Sequence, residues 1–193
     1  MIEKIIGAFS FKPGIYAEAK KDPSFTGSAW LIVGITAILN SLGTSAAISH
    51  LQFGAWQVSA LFAAVFAVLG FGLACFVIRW VGKTVFNTTA SFDEVVRPLG
   101  LARVWNIVGV LGIAALITPA LSCATGVFTL AAAVLGFIAW LIAVREALGL
   151  DWPQTIVTVV LGVIVVEVVT VIAGVVLGAF GLTTASIMGV FRG

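Results

Sequence analysis

Charged side chains are scarce in this sequence, which distinguishes it from a soluble domain. Asp, Glu, Lys and Arg make up 9% of its 193 residues, whereas hydrophobic residues make up 61%. An average soluble domain carries about 25% charged residues. The mean hydropathy of +1.21 agrees with this composition. The composition therefore excludes a soluble domain and a disordered chain, and the length is sufficient for about four to six membrane spans.

Cysteine, histidine and clustered basic residues are also sparse. Cys75 and Cys123 form no CxxC pair, so no disulfide framework, redox motif or zinc site is readable. The single His50 has no HExxH context. Lys20 and Lys21 are the only adjacent basic pair, whereas nucleic-acid binding requires clustered Lys and Arg. We therefore predict no catalytic group, no metal, no cofactor and no nucleic-acid partner.

Five long apolar segments dominate the chain. They lie near residues 28–48, 57–78, 99–121, 124–144 and 155–180. Each has about 20 residues or more, which is enough to cross about 30 Å of hydrocarbon as a helix. The segments are continuously apolar and do not alternate, which argues against β-strands. The sequence therefore predicts an all-α polytopic membrane bundle of about five transmembrane helices.

The distribution of Lys and Arg predicts the orientation of this bundle. Nearly all of these residues outside the spans lie on the same side as the N-terminal segment. The positive-inside rule then places the N-terminus in the cytoplasm and the C-terminus outside. We predict a cytoplasmic amphipathic segment at residues 1–26, a transmembrane domain at residues 27–182 and a short external tail at residues 183–193. The N-terminal segment has apolar residues at helical spacing, namely Ile2, Ile5, Ile6 and Phe9. This pattern suits either a helix that lies on the inner leaflet or ordinary packing against the bundle.

Several polar motifs mark the ends of the predicted spans. Ser91-Phe92-Asp93-Glu94 fits a capping box that leads into the third span. Asp151-Trp152-Pro153-Gln154 is a similar start for the fifth span, with a proline early in the helix. We expect Pro119 to set a tight hairpin between the third and fourth spans.

The cytoplasmic motifs carry a family resemblance. Lys12-Pro13-Gly14-Ile15-Tyr16 and Lys21-Asp22-Pro23-Ser24 precede the first span, Ala90-Ser91-Phe92-Asp93-Glu94-Val95 passes into Leu99-Gly100-Leu101-Ala102, and Ala147-Leu148-Gly149-Leu150 precedes the last span. From about residue 8 to residue 178, the chain resembles the Yip1 family, specifically its small bacterial inner-membrane members. Members usually carry a proline early in the third span, whereas here the nearest prolines are Pro98 and Pro119.

The resemblance implies five spans, a cytoplasmic N-terminus and no enzymatic activity. Eukaryotic relatives are tied to vesicle trafficking and small GTPases, a pathway that a bacterium lacks. The resemblance therefore implies a multi-pass protein of a bacterial inner membrane without implying that specific role.

Glu167 is the most informative polar residue, because it lies about 18 Å into the fifth predicted span. An acid at that depth is costly and usually faces a partner inside the bundle. Asn40 lies at a similar depth in the first span, and Asn106 lies in the third. We predict a polar cluster of Glu167, Asn40 and Asn106, either a packed uncharged acid or an ion site, and favour the packed acid. Arg103 is shallower, and we expect it to anchor at the inner headgroups by snorkelling.

A GxxxG motif at Gly174 and Gly178 predicts close helix approach, within the monomer by preference or between two copies. Together these features predict a non-catalytic, Yip1-like membrane organiser or adaptor. Its expected partners are the lipid bilayer and either other membrane proteins or a second copy of the chain. The alternative is a small transporter or channel with an ion or proton site at Glu167.

Overall fold

The computed structural model describes residues 2–48, 53–116 and 120–179. Within these ranges the chain forms helices and short connections and contains no strand. The elements are α1 (Ile2–Phe9), α2 (Ile15–Lys21), α3 (Phe25–Ile48), α4 (Phe53–Phe86), α5 (Phe92–Ala102), a 3₁₀ helix (Arg103–Leu116), α6 (Ala120–Leu148) and α7 (Trp152–Ala179). The predicted tail at 183–193 lies outside the described residues, as do His50 and Pro119.

Five stretches of these helices are long and apolar enough to cross a membrane. They are Phe25–Ala46, Gln57–Phe86, Phe92–Ala114, Ala124–Leu148 and Trp152–Val176. The third stretch combines α5 with the 3₁₀ helix, whereas each of the others lies within one α-helix. The prediction of an all-α polytopic bundle is therefore confirmed.

The third span begins at Phe92, seven residues before the start expected from the sequence. The predicted capping box determines this start: the Ser91 hydroxyl accepts a hydrogen bond from the Glu94 backbone N–H (3.3 Å), and the Ser91 N–H donates to the Glu94 carboxylate (2.6 Å). Pro98 consequently lies inside α5. The chain therefore does carry a proline early in its third span. The departure from the family pattern that the sequence suggested, with prolines only outside the start of the span, is not found.

Helix α5 lies at the centre of the half of the bundle that the predicted orientation places toward the cytoplasm. Every residue from 95 to 102 is buried. α2, α3, α4 and α6 all pack against it. The outward surfaces of the long helices are exposed and apolar, as lipid contact requires, at Val65, Leu69 and Phe76 of α4, Val127 and Val134 of α6, and Ile164 and Val171 of α7.

Candidate functional site

The third span changes from α-helix to 3₁₀ helix at Arg103. The backbone N–H of Arg103 donates to the carbonyl of Gly100, three residues earlier. A 3₁₀ helix turns once in three residues and rarely exceeds about four residues, whereas this one runs over 14 residues. Residues three apart therefore share one face, which we call the 3₁₀ row: Arg103, Asn106, Gly109 and Gly112.

The glycine half of the 3₁₀ row touches the backbone of α3. A Cβ built on Gly43 of α3 would lie 1.8 Å from the Gly109 carbonyl oxygen, and one built on Gly112 would lie 2.3 Å from the Gly43 carbonyl oxygen. A Cβ on Gly109 would lie 1.9 Å from Oδ1 of Asn40. No side chain fits between the two elements at these positions, so they are in direct backbone contact. Asn40 faces the third span as a result.

The polar half of the row begins with Arg103, whose guanidinium lies inside the bundle. Its central carbon lies 5.5 Å from the ring centroid of Phe71 on α4 and 5.4 Å from that of Trp140 on α6. Such cation–π contacts contribute about 0.5–2 kcal/mol each. Nε of Arg103 is buried and has no hydrogen-bond partner within the described ranges. These contacts differ from the predicted snorkelling, because the two rings draw the side chain between α4 and α6.

Two cavities flank the polar half of the row, and both are lined by Arg103 and Asn106. The first, the α3 cavity, has a volume of about 200 Å³, and its other walls include Val33, Thr36, Asn40, Gly70 and Thr170. The second, the α6–α7 cavity, has a volume of about 310 Å³, and its other walls include Ala133, Gly136, Phe137, Trp140 and Glu167. Arg103 and Asn106 therefore lie between two cavities whose other walls are mainly apolar.

The predicted polar cluster is divided between these cavities. Asn40 shares the α3 cavity with Asn106, and Glu167 shares the α6–α7 cavity with Asn106, but Glu167 and Asn40 share neither. Glu167 is exposed, and no hydrogen bond or ion pair joins it to another described residue. The reason is helix pairing: α7 packs along α4, whereas α3 packs along the 3₁₀ helix. Asn106 lines both cavities, and so does Arg103, which the sequence analysis expects at the membrane interface.

The glycine motif on α7 makes no close approach at its first residue. Apart from its chain neighbours and the nearby backbone of α7 itself, no described heavy atom lies within 4 Å of a Cβ built on Gly174. Gly178 lies one turn further along α7. Close approach within the bundle occurs instead at the Gly43 and Gly109 contact, a pair that the sequence analysis did not identify. A contact between two copies at Gly174 and Gly178 stays a prediction.

A second candidate surface, which we call the N-terminal platform, consists of α1, α2 and the connection up to residue 24. The rings of Phe9 and Phe11 pack against Trp105, with centroid distances of 5.0 and 5.5 Å. Gly7 and Ala8 are buried, whereas Ile2 and Ile6 are 74% and 62% exposed. Helix α1 thus packs against the bundle on one side, as the second alternative expects, and leaves two isoleucines exposed. Its position on the inner leaflet stays a prediction.

Charged residues hold the platform together and fasten it to the bundle. Lys4 pairs with Asp22, and hydrogen bonds from Lys4 and then Ser24 lower the pKa of Asp22 to about 2. Arg97 of α5 donates from Nε to the Thr26 hydroxyl (2.8 Å) and from a terminal nitrogen to the Lys20 carbonyl (2.8 Å). Arg97 is 9% exposed. The platform is therefore held by side chains from both its own helices and the third span.

Comparison with known protein families gives a match. The family model described as Yip1 domain matches residues 6–175. This range begins in α1 and ends in α7, so it includes both the platform and the two cavities. No curated protein and no solved structure matches the chain.

Proposed function

The chain belongs to the Yip1 family, and from this premise we propose that it is a non-catalytic protein of a bacterial inner membrane. It organises the bilayer or connects other membrane proteins at its cytoplasmic face. The N-terminal platform is the observation that supports this role. Within the described residues, no group of three or more His, Cys, Asp and Glu side chains is placed to hold a metal ion.

The platform has the chemistry of a membrane-surface element. Ile2 and Ile6 are apolar and exposed, so contact with the acyl boundary of the inner leaflet would remove them from water. Lys12 and Lys21 are exposed on the same segment. A basic residue near an anionic leaflet contributes about 1 kcal/mol of attraction. Because the platform is packed against the bundle, it holds these residues in a fixed position relative to the spans.

Site-specific photo-crosslinking in living cells tests this proposal. A photoreactive residue replaces Ile6 of α1, Glu18 of α2 or Val127 of α6, all of which are exposed. We expect Ile6 to label lipid, because it faces the leaflet, and Glu18 to give discrete adducts with other membrane proteins. Val127, which lies toward the opposite end of the bundle, is the control and is expected to label lipid alone.

Two results would contradict the proposal. Glu18 adducts no different from those of Val127 would remove the platform as a docking surface. A flux of protons or monovalent cations in proteoliposomes that is abolished by Glu167→Gln would instead favour transport. The crosslinking and flux measurements use the same full-length protein, so the two roles are compared directly.

A further inference from the structure

Hydrogen-bond donors without acceptors lie around the α6–α7 cavity. Arg103 lines it, and Nε of that side chain is buried without a partner in the described part of the chain. Trp140 also lines it, is 8% exposed, and has a buried indole Nε1 that likewise lacks an acceptor there. Most buried donors in proteins are paired, because an unpaired one loses its hydration without replacement. Both nitrogens have almost no accessible surface, so the Arg103 and Trp140 side chains must turn toward the cavity before an acceptor there can reach them.

Glu167 gives the same cavity an acidic side chain. It lies on α7 and forms no ion pair with Arg103 within 4.0 Å. A cation and an anion inside a membrane are costly when each is left alone. Asn106 also lines the cavity and offers both a donor and an acceptor. The cavity thus contains a basic and an acidic side chain that do not pair with one another directly.

The cavity opens toward the lipid. Ala133, Phe137 and Glu167 line it and are exposed. On either side of this opening, Val134 of α6 and Ile164 of α7 are 53% and 52% exposed. Its volume of about 310 Å³ is at the lower end of the range of small-molecule sites, about 300–1,000 Å³. A ligand that enters here comes from the bilayer, with its apolar part left between α6 and α7.

We propose that the α6–α7 cavity binds a zwitterionic headgroup in which a phosphate lies beside a primary ammonium, as in phosphatidylethanolamine. The phosphate accepts hydrogen bonds from Arg103 and Trp140, and the ammonium donates to Glu167. A purely anionic headgroup leaves Glu167 unpaired and is repelled by it. A choline headgroup carries the positive charge but has no N–H to donate.

Lipid retention measures this selectivity. The full-length protein is reconstituted in nanodiscs of equal parts phosphatidylethanolamine, phosphatidylcholine and phosphatidylglycerol, released in detergent and examined by native mass spectrometry. We expect phosphatidylethanolamine to be retained at about ten times the level of each of the other two lipids, the factor that a hydrogen bond between charged groups supplies. Glu167→Gln is expected to reduce that preference about tenfold while a phospholipid remains bound through Arg103.

Two alanines on α6 provide a matched pair of variants. Ala133 lines the cavity and is exposed, so Ala133→Leu is expected to fill the opening and abolish retention without disturbing the fold. Ala131 is also exposed but does not line the cavity, so Ala131→Leu should retain lipid as the wild type does. Unchanged elution from a sizing column and an unchanged melting temperature establish that each variant is folded.

Equal retention of the three lipids, preference for phosphatidylglycerol, or an unchanged preference in Glu167→Gln would overturn the proposal. In the last arm of the experiment, free phosphoethanolamine is added to the protein with its bound lipid. If it displaces the bound lipid at millimolar concentration, the site belongs to a soluble zwitterion and the assignment to a lipid is wrong. If it does not, the lipid source is supported.

Discussion

Replacing Gly43 with alanine is expected to force α3 away from the 3₁₀ helix. The added Cβ would lie 1.8 Å from the Gly109 carbonyl oxygen and 2.9 Å from Cα of Val110. Both neighbours are backbone atoms, so no side chain can rotate to make room. An ordinary contact begins at 3.4 Å, which means that the two elements must separate by roughly 1.6 Å.

The magnitude of the effect follows from two opposing terms. Over-packing costs about 1–3 kcal/mol, and occasionally more. Alanine improves helix propensity over glycine by about 1 kcal/mol. Because the clash at Gly43 falls on backbone, we expect the steric cost to exceed the usual range and the net loss to be about 3 kcal/mol in the free energy of unfolding. Separation should also displace Asn40, which lies beside the same contact.

Unfolding by SDS in mixed micelles, followed by far-ultraviolet circular dichroism, measures this loss. Gly34→Ala is the matched control on the same helix, because a Cβ at Gly34 meets no described atom within 4 Å. We expect the control to unfold at the wild-type midpoint or slightly above it. If Gly43→Ala and Gly34→Ala have the same midpoint, the backbone contact between α3 and the 3₁₀ helix does not exist.

Three further predictions concern the platform and the start of the third span. Ser91→Ala removes the capping box and should cost about 1 kcal/mol in the same SDS titration. The pKa of Asp22 is about 2 in the folded protein and 3.8 ordinarily, so its contribution to stability is complete above about pH 4 and is lost as the pH falls toward 2. Amide hydrogen exchange in α1 should therefore increase across that window, and Asp22→Asn should show the increase at neutral pH. Phe9→Ala removes its own ring contact with Trp105 and should increase the same exchange without changing the unfolding midpoint of the spans.

The transmembrane architecture was predictable because burial in lipid imposes a simple pattern. Each span needs about 20 continuous apolar residues, and only helices satisfy their own backbone inside hydrocarbon. The sequence alone places the start of the third span at residue 99, after Arg97, because a charged residue is typical of a water-exposed loop. The structure instead buries Arg97 by bonding it to the Lys20 carbonyl and Thr26. A charged residue marks the end of a span only when no residue elsewhere in the fold forms a hydrogen bond or ion pair with it.

The sequence predicts a depth for each polar residue, but it does not predict the neighbours of these residues. Counting residues at about 1.5 Å each places Asn40 and Glu167 at similar depths. Which sides of their helices face one another depends on helix pairing, and a single sequence contains no direct signal for the pairing of α4 with α7. The contacts of Trp105 with the platform were missed for the same reason, because they join residues distant in sequence.

The 3₁₀ row explains both the tightest contact and the two cavities. In an α-helix, which turns about 100° per residue, Arg103 and Gly112 would lie on opposite sides. In a 3₁₀ helix, which has three residues per turn, they lie on the same face, so the row is not recognisable if the segment is assumed to be α-helical. Once aligned, Gly109 and Gly112 allow α3 to touch the backbone, but Arg103 and Asn106 hold neighbouring helices apart where the row continues. The space beside these polar side chains is therefore a consequence of the close contact one turn away. A substitution that opens the glycine contact should alter lipid retention in the α6–α7 cavity without touching any residue that lines it.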